Sequence, residues 1–103
     1  MIYKKSWKYI IIKDNYLFRV KSLKDFSNVK EGDIGGYIGG YHNLSQKGNC
    51  WIYNDAWVCE NARVSENAVV CENVFVTGNA KVSGNTCVCN NNAGVFDNAS
   101  DVL

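Results

Sequence analysis

The sequence lacks long apolar runs, a secretory signal and a strong net charge, and each absence excludes a class of protein. Runs such as Tyr9 to Ile12 have the length of a strand, whereas a membrane span needs about 18–20 apolar residues. The basic N-terminus precedes only four apolar residues and no small-residue cleavage site, so it does not resemble a signal peptide. The net charge of +1 disfavours strong nonspecific DNA binding. We therefore expect no membrane span, no sequence-specific DNA binding and a cytoplasmic location.

Length, cysteine content and charge distribution add further expectations. The 103 residues fit one domain and leave no room for a catalytic domain beside a regulatory one. The five cysteines form no obvious disulfide framework, which suits a reducing compartment. Residues 1–47 carry nine Lys/Arg against four Asp/Glu, a net +5, and residues 48–103 carry two against six, a net −4. The front of the chain is therefore basic and the rear mildly acidic.

A six-residue repeat, (Gly/Glu)-Asn-Ala-x-Val-x, dominates the sequence from Gly48 onward. The period of two in Ala-x-Val-x predicts a short strand with Ala and Val facing inward. The (Gly/Glu)-Asn pair predicts a corner, because Gly and Asn tolerate left-handed backbone angles. We expect three units per turn, so that residues 18 apart lie above one another, with one extra Asn near Asn90. The units are GNCWIY, NDAWVC, ENARVS, ENAVVC, ENVFVT, GNAKVS and GNTCVC.

These hexads resemble the left-handed β-helix, or hexapeptide-repeat, superfamily. The stretch from Asp25 to Val58 is also similar to small hexapeptide-repeat proteins carried by bacteriophages and prophages. It shows Val-Lys-x-Gly-Asp-x-Gly-Gly at 29–36, Asn-Leu-Ser at 43–45 and Gly-Asn-x-Trp at 48–51. The predicted fold class is all-β: a short left-handed parallel β-helix of about three coils, preceded by an N-terminal β-hairpin. Residues 1–28 are expected to form the hairpin and a connector, and residues 29–103 the β-helix, within one compact domain.

The outward positions of the predicted coils sort into three faces. Two faces are too apolar to remain exposed on a small protein, and the third, with Arg63, Ser65, Lys81 and Ser83, suits water. The N-terminal segment is expected to cover part of one apolar face, although the pattern does not decide which. The resemblance implies packing about a threefold axis, so we expect a homotrimer, with a dimer as the alternative. The expected interface residues are Trp51, Tyr53, Trp57, Val69, Cys71, Phe75, Cys87, Cys89 and Phe96.

The N-terminal runs Lys8 to Lys13 and Tyr16 to Val20 flank Asp14-Asn15 and predict a hairpin. Basic residues interleaved with aromatic ones are typical of nucleotide or nucleic-acid binding. The alternative is an amphipathic hairpin that holds its lysines in water. A nucleotide pocket would lie between subunits, near Tyr37, Trp51 and Arg63. The expected partner-binding or ligand-binding residues are Lys8, Arg19, Tyr37, His42 and Arg63.

The sequence offers weak signals for catalysis. His42 is the single histidine and has no identifiable carboxylate partner. Acyltransferases of the resembled superfamily use a histidine as general base, whereas its carbonic anhydrases need three histidines for their metal. Cys71, Cys87 and Cys89 are expected to lie close together, but their spacing is not that of a four-ligand zinc site. We therefore expect a non-catalytic protein with no metal and no cofactor.

The resemblance to phage-carried proteins implies a viral accessory protein that acts by binding. Such a protein is expected to antagonise a bacterial defence system, as an anti-CRISPR-type inhibitor of an effector or as a sponge for a nucleotide signal. An inhibitor would use the hairpin and the edge of the β-helix as its contact surface. The alternatives are an acyltransferase that uses His42 and a structural component of the virion.

Overall fold

A computed structural model of the protein describes residues 6–89 and the backbone of residues 95 and 96. These residues form β-strands joined by turns, and Tyr41–Asn43 form a short 3-10 turn. Three strands are five or six residues long and precede a series of two-residue strands. The strands are β1 Tyr9–Asp14, β2 Leu17–Ser22, β3 Ile34–Ile38, β4 Trp51–Ile52, β5 Trp57–Val58, β6 Arg63–Val64, β7 Val69–Val70, β8 Phe75–Val76, β9 Lys81–Val82, β10 Cys87–Val88 and β11 Val95–Phe96.

The strands assemble into three sheets of different size. The largest has the order β1-β2-β3-β5-β8-β11, the second β10-β7-β4, and the third β6-β9. Strand β2 runs antiparallel to both β1 and β3, whereas the pairs β3-β5, β5-β8 and β8-β11 are parallel. The largest sheet is therefore mixed, and it joins the N-terminal hairpin to the repeat region without a break.

Pairing in the repeat region follows the 18-residue spacing that the hexads predict. Trp57 pairs with Phe75, and Arg63 pairs with Lys81. Backbone bonds follow the same interval, as from Trp57 N to Val74 O at 2.9 Å. Strand β11 departs from it, because Val95 pairs with Phe75 twenty residues earlier. The insertion that the sequence analysis expects near Asn90 lies outside the described residues.

The repeat positions that face inward form the core. Alanines at the third position and valines at the fifth are fully or almost fully buried, as the alternation predicts. The small alanines let the three sheets approach one another closely, and the valines fill the remaining space. The buried set in the repeats includes Ala56, Val58, Ala62, Val64, Ala68, Val70, Val76, Ala80 and Val82.

The first residue of each hexad makes the corner. Asn54, Glu60, Glu66 and Glu72 have φ of 59°, 57°, 58° and 60°, in the left-handed region. A glutamate in this region costs about 1–2 kcal/mol. Two of these glutamates recover part of that cost, because the Glu60 carboxylate accepts a bond from the Gly78 amide at 2.9 Å and Glu66 bonds Gly84 in the same way. The asparagine at the second position does not take the left-handed angle.

The predicted fold class, a short left-handed parallel β-helix of about three coils preceded by an N-terminal β-hairpin, is wrong. The structure is an all-β protein with small sheets of short strands, and its largest sheet is mixed. The physical reason lies in the hairpin strand β2, which bonds directly to β3 through Arg19 and Tyr37 and so becomes part of that sheet. A regular hexad pattern from residue 48 onward could not reveal this antiparallel extension.

The hairpin itself is confirmed, with a turn one residue later than predicted. Asp14 pairs with Leu17, so the two-residue loop is Asn15-Tyr16. Asn15 has φ 61°, which suits the first position of a tight hairpin turn. Among the described residues the structure contains no apolar helix of membrane-spanning length.

Candidate functional site

A groove of about 540 Å³ lies along the face that β6 and β9 form. The two-stranded β6-β9 sheet forms its floor. One end is closed by the 3-10 turn Tyr41–Asn43 and the residues that follow it. This is the face that the sequence analysis assigned to water. The lining residues are Tyr41, His42, Leu44, Ser45, Gln46, Arg63, Val64, Ser65, Glu66, Lys81 and Ser83.

Two rows of side chains run along the groove. Arg63 and Lys81 pair across adjacent strands, so their backbones lie about 4.8 Å apart. Ser45, Ser65 and Ser83 form a second row, because Leu44 bridges to Val64 and the next strand pair continues the register. Among the described residues, neither Arg63 nor Lys81 forms an ion pair. The two cations and three hydroxyls therefore offer donors to an anionic ligand.

Glu66 lowers the positive charge of the groove without neutralising both cations. Its carboxylate accepts a bond from the Gly84 amide at 2.6 Å, which holds it at the corner between strands. Arg63, Lys81 and Glu66 leave a net charge of +1 in the groove at neutral His42. The remaining positive charge favours an anion that contacts Arg63 and Lys81 at the same time, as a phosphate can.

His42 and Tyr41 form the upper end of the groove. His42 Nε2 lies 2.7 Å from the backbone oxygen of Glu60, so this nitrogen carries the proton and donates it to the carbonyl. Tyr41 is 44% exposed, and its ring makes a T-shaped contact with Trp7, with centroids 5.4 Å apart. Its hydroxyl accepts a bond from the Ile11 amide at 3.0 Å. The groove thus has a fixed aromatic ring at one end and cations further along.

Asn43 fixes this end of the groove from inside. It is fully buried, and its Oδ1 accepts bonds from the Gly39 and Gly40 amides at 3.0 and 2.9 Å. Its Nδ2 donates to the backbone oxygens of Glu60 and Ala62 at 3.1 and 2.7 Å. The two Nδ2 bonds join the 3-10 turn to the repeat region, and the two Oδ1 bonds hold the residues that directly precede the turn. This side chain therefore sets the position of Tyr41 and His42.

The structure brings together only two of the five predicted ligand-binding residues in this groove, His42 and Arg63. Arg19 and Tyr37 lie together on another wall, with the Arg19 guanidinium carbon 4.3 Å from the Tyr37 ring centroid. Arg19 donates to the backbone oxygens of Gly35 and Asn54 and pairs with Asp55 at 3.2 Å. Its donors hold the hairpin against the repeats, so they are engaged within the chain.

The prediction that Lys8 contacts a partner is wrong, because Lys8 is 3% exposed. Its Nζ donates to the backbone oxygens of Gly48 and Cys50 at 3.2 and 2.7 Å. Burial lowers the pKa of this ammonium, while the neighbouring Cys50 opposes that shift. Burial also raises the pKa of the adjacent Tyr9, whose hydroxyl donates to Leu44 O at 2.6 Å.

Trp51 is also wrongly predicted, both as an interface residue and as part of a nucleotide pocket. It is 1% exposed. Tyr9 and Phe26 cover its ring edge-on, with centroids 6.2 and 5.3 Å away. The N-terminal segment of the same chain therefore covers the β4 end of the β4-β7-β10 sheet and leaves the rest of that sheet partly exposed.

The remaining interface candidates divide between two walls. Tyr37, Trp57 and Phe75 form an aromatic column on the outer side of the largest sheet, with centroids 4.7 Å apart for the first pair and 5.6 Å for the second. Phe75 is 40% exposed. Tyr53, Val69, Cys71, Cys87 and Cys89 lie on the β4-β7-β10 wall or beside it and are partly or fully exposed. Phe96 belongs to β11, whose side chains lie outside the described residues.

The cysteines differ from the sequence expectation. Cys71 and Cys89, 18 residues apart, are joined in a disulfide, and the Cys87 sulfur lies 3.4 Å from that of Cys89. The sequence analysis predicted no disulfide here. Within residues 6–89, no group of three or more His, Cys, Asp or Glu side chains is arranged to hold a metal ion.

Sequence reasoning missed Tyr41, Gln46 and Lys81 as members of the candidate site. The signal for Lys81 was available, because it lies 18 residues after Arg63 on the same predicted face. Tyr41 and Gln46 precede the regular hexads, so no repeat register places them. A scan against protein-family models and a search of curated proteins both find no match for this chain.

Proposed function

We propose that the protein is a non-catalytic binding protein whose groove takes a phosphorylated nucleotide. The observation that carries this proposal is the row of Arg63 and Lys81, which pair across adjacent strands and form no ion pair with the described residues. The serine row beside it adds neutral donors. Hydrogen bonds in which one partner is charged are worth about 1.5–3 kcal/mol each, which favours a phosphate over a neutral ligand.

The upper end of the groove supports a ligand with an aromatic part. The exposed Tyr41 ring offers a surface for a base, and stacking on an aromatic side chain is worth about 1–3 kcal/mol per base. The Nε2–H of His42 is engaged by Glu60 O. In the acyltransferase alternative, Nδ1 of His42 would have to act as the base. The structure offers it no carboxylate partner among the described residues, so binding is the stronger proposal.

The biological role that we propose is antagonism of a bacterial defence by a phage-encoded accessory protein that sequesters a nucleotide signal. The similarity of residues 25–58 to small phage-carried proteins supports the viral origin. The proposed location is the cytoplasm of the infected host, where such a signal is made. In that compartment Cys71 and Cys89 would be kept as thiols. Inhibition of an effector protein is the competing form of this role.

A homotrimer is part of the same proposal. The aromatic column of Tyr37, Trp57 and Phe75 supports it, because three adjoining rings, the first pair stacked and the second edge-on, offer a continuous apolar surface to a neighbouring subunit. Native mass spectrometry measures the subunit number directly. Phe75→Glu is expected to lower the assembly mass, whereas Tyr16→Glu, at a 93% exposed turn position, is expected to leave it unchanged. A trimer that survives Phe75→Glu would contradict this interface.

The test of the binding function is calorimetric titration with AMP, with adenosine as the matched ligand that lacks phosphate. Arg63→Gln and Lys81→Gln are each expected to weaken AMP binding about 10-fold or more, the equivalent of one charge-assisted hydrogen bond. Lys30→Gln removes an exposed cation elsewhere and is the control variant. Equal binding of AMP and adenosine, or equal affinity in Arg63→Gln and the native protein, would overturn the proposal.

A cellular experiment separates the two forms of the role. In bacteria with a nucleotide-signalled defence, the native protein is expected to protect an infecting phage, and the double variant of Arg63 and Lys81 is expected to lose that protection. Protection that persists in the double variant, together with capture of a defence effector on the hairpin, would favour the inhibitor instead.

A further inference from the structure

A lysine and a cysteine from distant parts of the chain meet inside the protein. Lys8 Nζ lies 3.3 Å from Cys50 Sγ, and the two residues are 42 positions apart. Lys8 precedes β1, and Cys50 precedes β4, so the pair joins the N-terminal segment to the beginning of the repeats. Their exposed fractions are 3% and 0%. The binding function proposed above uses neither residue.

The Lys8 head group is held in place by neutral groups of the same chain. The Lys8 head group is surrounded by the backbone oxygens of Gly48 and Cys50 and by the Phe26 ring, whose centroid is 5.1 Å away. No carboxylate among the described residues pairs with it. Burial lowers the pKa of Lys8, which increases the share of the neutral amine that can act as a nucleophile.

The thiol has its own set of acceptors. Cys50 Sγ lies 3.5 Å from Ser45 O, 3.6 Å from Lys47 O and 3.7 Å from Val64 O. Its hydrogen points to one of these carbonyls, and a sulfur lone pair is left to face the Lys8 nitrogen. The sulfur and the nitrogen are thus held side by side, with water excluded by the packing around them.

We propose that Lys8 and Cys50 are a covalent modification site, in which one oxygen atom bridges Nζ and Sγ. The oxidant is dioxygen, which is small and apolar enough to reach a buried thiol. One oxygen atom is inserted between nitrogen and sulfur. The nitrogen and the sulfur each give up one hydrogen and two electrons. The second oxygen atom takes both hydrogens and leaves as water, so dioxygen is fully reduced.

This bridge would fasten the N-terminal segment to the repeats through a covalent bond instead of hydrogen bonds. Cys50 is the thiol for which this geometry holds, because no lysine nitrogen contacts the sulfurs of Cys59 or Cys87 among the described residues. The modification is therefore specific to one of the three free cysteines in the structure.

The experiment is peptide mapping by mass spectrometry on protein purified in air and on protein purified without oxygen. The aerobic protein is expected to yield a linked pair of peptides containing residues 8 and 50, one oxygen atom heavier and two hydrogen atoms lighter than their sum. The pair is expected to be absent from the anaerobic protein and to separate with a thiol reductant. Melting temperature is not the readout, because a reductant also opens the Cys71–Cys89 disulfide.

Two variants control the assignment. Lys8→Arg keeps a cation but removes the nucleophilic amine, so the linked pair is expected to disappear. Cys59→Ser removes another free cysteine and is expected to leave the pair unchanged. Complete alkylation of Cys50 in denatured aerobic protein, or oxygen found on Cys50 with Lys8 free, would overturn the proposal. The comparison of aerobic and anaerobic native protein decides the question even where Lys8→Arg does not fold.

Discussion

The front of the protein, residues 6–47, and the repeat region, residues 48–89, are held together in different ways. In the repeats, buried Ala and Val positions recur every six residues and backbone pairing recurs every 18, so each hexad contributes a similar share of the stability. In the front, single side chains replace missing backbone partners. Gln46, for example, accepts bonds from the Lys8 and Tyr9 amides and donates to Tyr9 O at 3.0 Å. Repetition distributes stability, whereas an irregular segment concentrates it in a few residues.

The largest expected effect concerns Gly36, which lies in β3 where the front packs closely against the repeats. A methyl group at Gly36 would lie 2.5 Å from both Ala56 O and Ile52 Cγ2. The carbonyl cannot move without disturbing the β3-β5 pairing. We expect Gly36→Ala to lower the free energy of unfolding by about 3 kcal/mol or more, as measured by urea denaturation.

Gly84→Ala is the matched substitution in the repeats. A methyl group there meets nothing closer than Glu66 Oε1 at 3.9 Å, so only the left-handed φ of 67° opposes it. The expected loss is about 1–2 kcal/mol. If Gly84→Ala lowered the free energy of unfolding more than Gly36→Ala, steric contact between the front and the repeats would not be the reason for glycine at position 36.

The second effect compares one residue type in both regions. Asn43→Ala removes four hydrogen bonds and leaves the Gly40 amide and the Ala62 carbonyl without this partner, whereas the Gly39 amide keeps Val58 O and the Glu60 carbonyl keeps His42 Nε2. We expect Asn43→Ala to lower the free energy of unfolding by about 2–4 kcal/mol. We also expect the groove to bind AMP more weakly, because Tyr41 and His42 lose their support. Asn67→Ala removes an exposed amide that bonds Asn49 N and Asn85 Oδ1, and the expected loss is below about 1 kcal/mol. Similar losses in the two variants would remove the distinction between the regions.

The repeat region could be predicted from the sequence far better than the front of the protein. The strict hexads determine which residues pair and which face inward, because alternation and a fixed period leave one consistent register. Arg63, Ser65, Lys81 and Ser83 were correctly placed on one face for this reason. The error was to treat that face as water-exposed only, since its depth depends on the 3-10 turn that rises beside it.

The front could not be predicted in the same way. Nothing in the local pattern shows that β2 pairs antiparallel with β3, because that contact depends on the bulge between Arg19 and Lys21 and on two close glycines. Lys8 has the composition of a surface residue, and only the tertiary arrangement shows that backbone oxygens bind its ammonium. Long-range side-chain contacts of this kind carry no periodic signal.

The smallest expected effect concerns left-handed residues in each region. Ser27 in the front has φ 50° and Glu60 in the repeats has φ 57°. Glycine relieves about 1–2 kcal/mol of strain at such an angle but costs about 0.5–1 kcal/mol in the unfolded chain. We expect Ser27→Gly to stabilise the protein by about 0.5 kcal/mol. Glu60→Gly is expected to be neutral or slightly destabilising, because it also removes the carboxylate that binds the Gly78 amide. Urea denaturation of both variants measures the difference, and equal gains at the two positions would show that the corner carboxylate contributes nothing to the repeats.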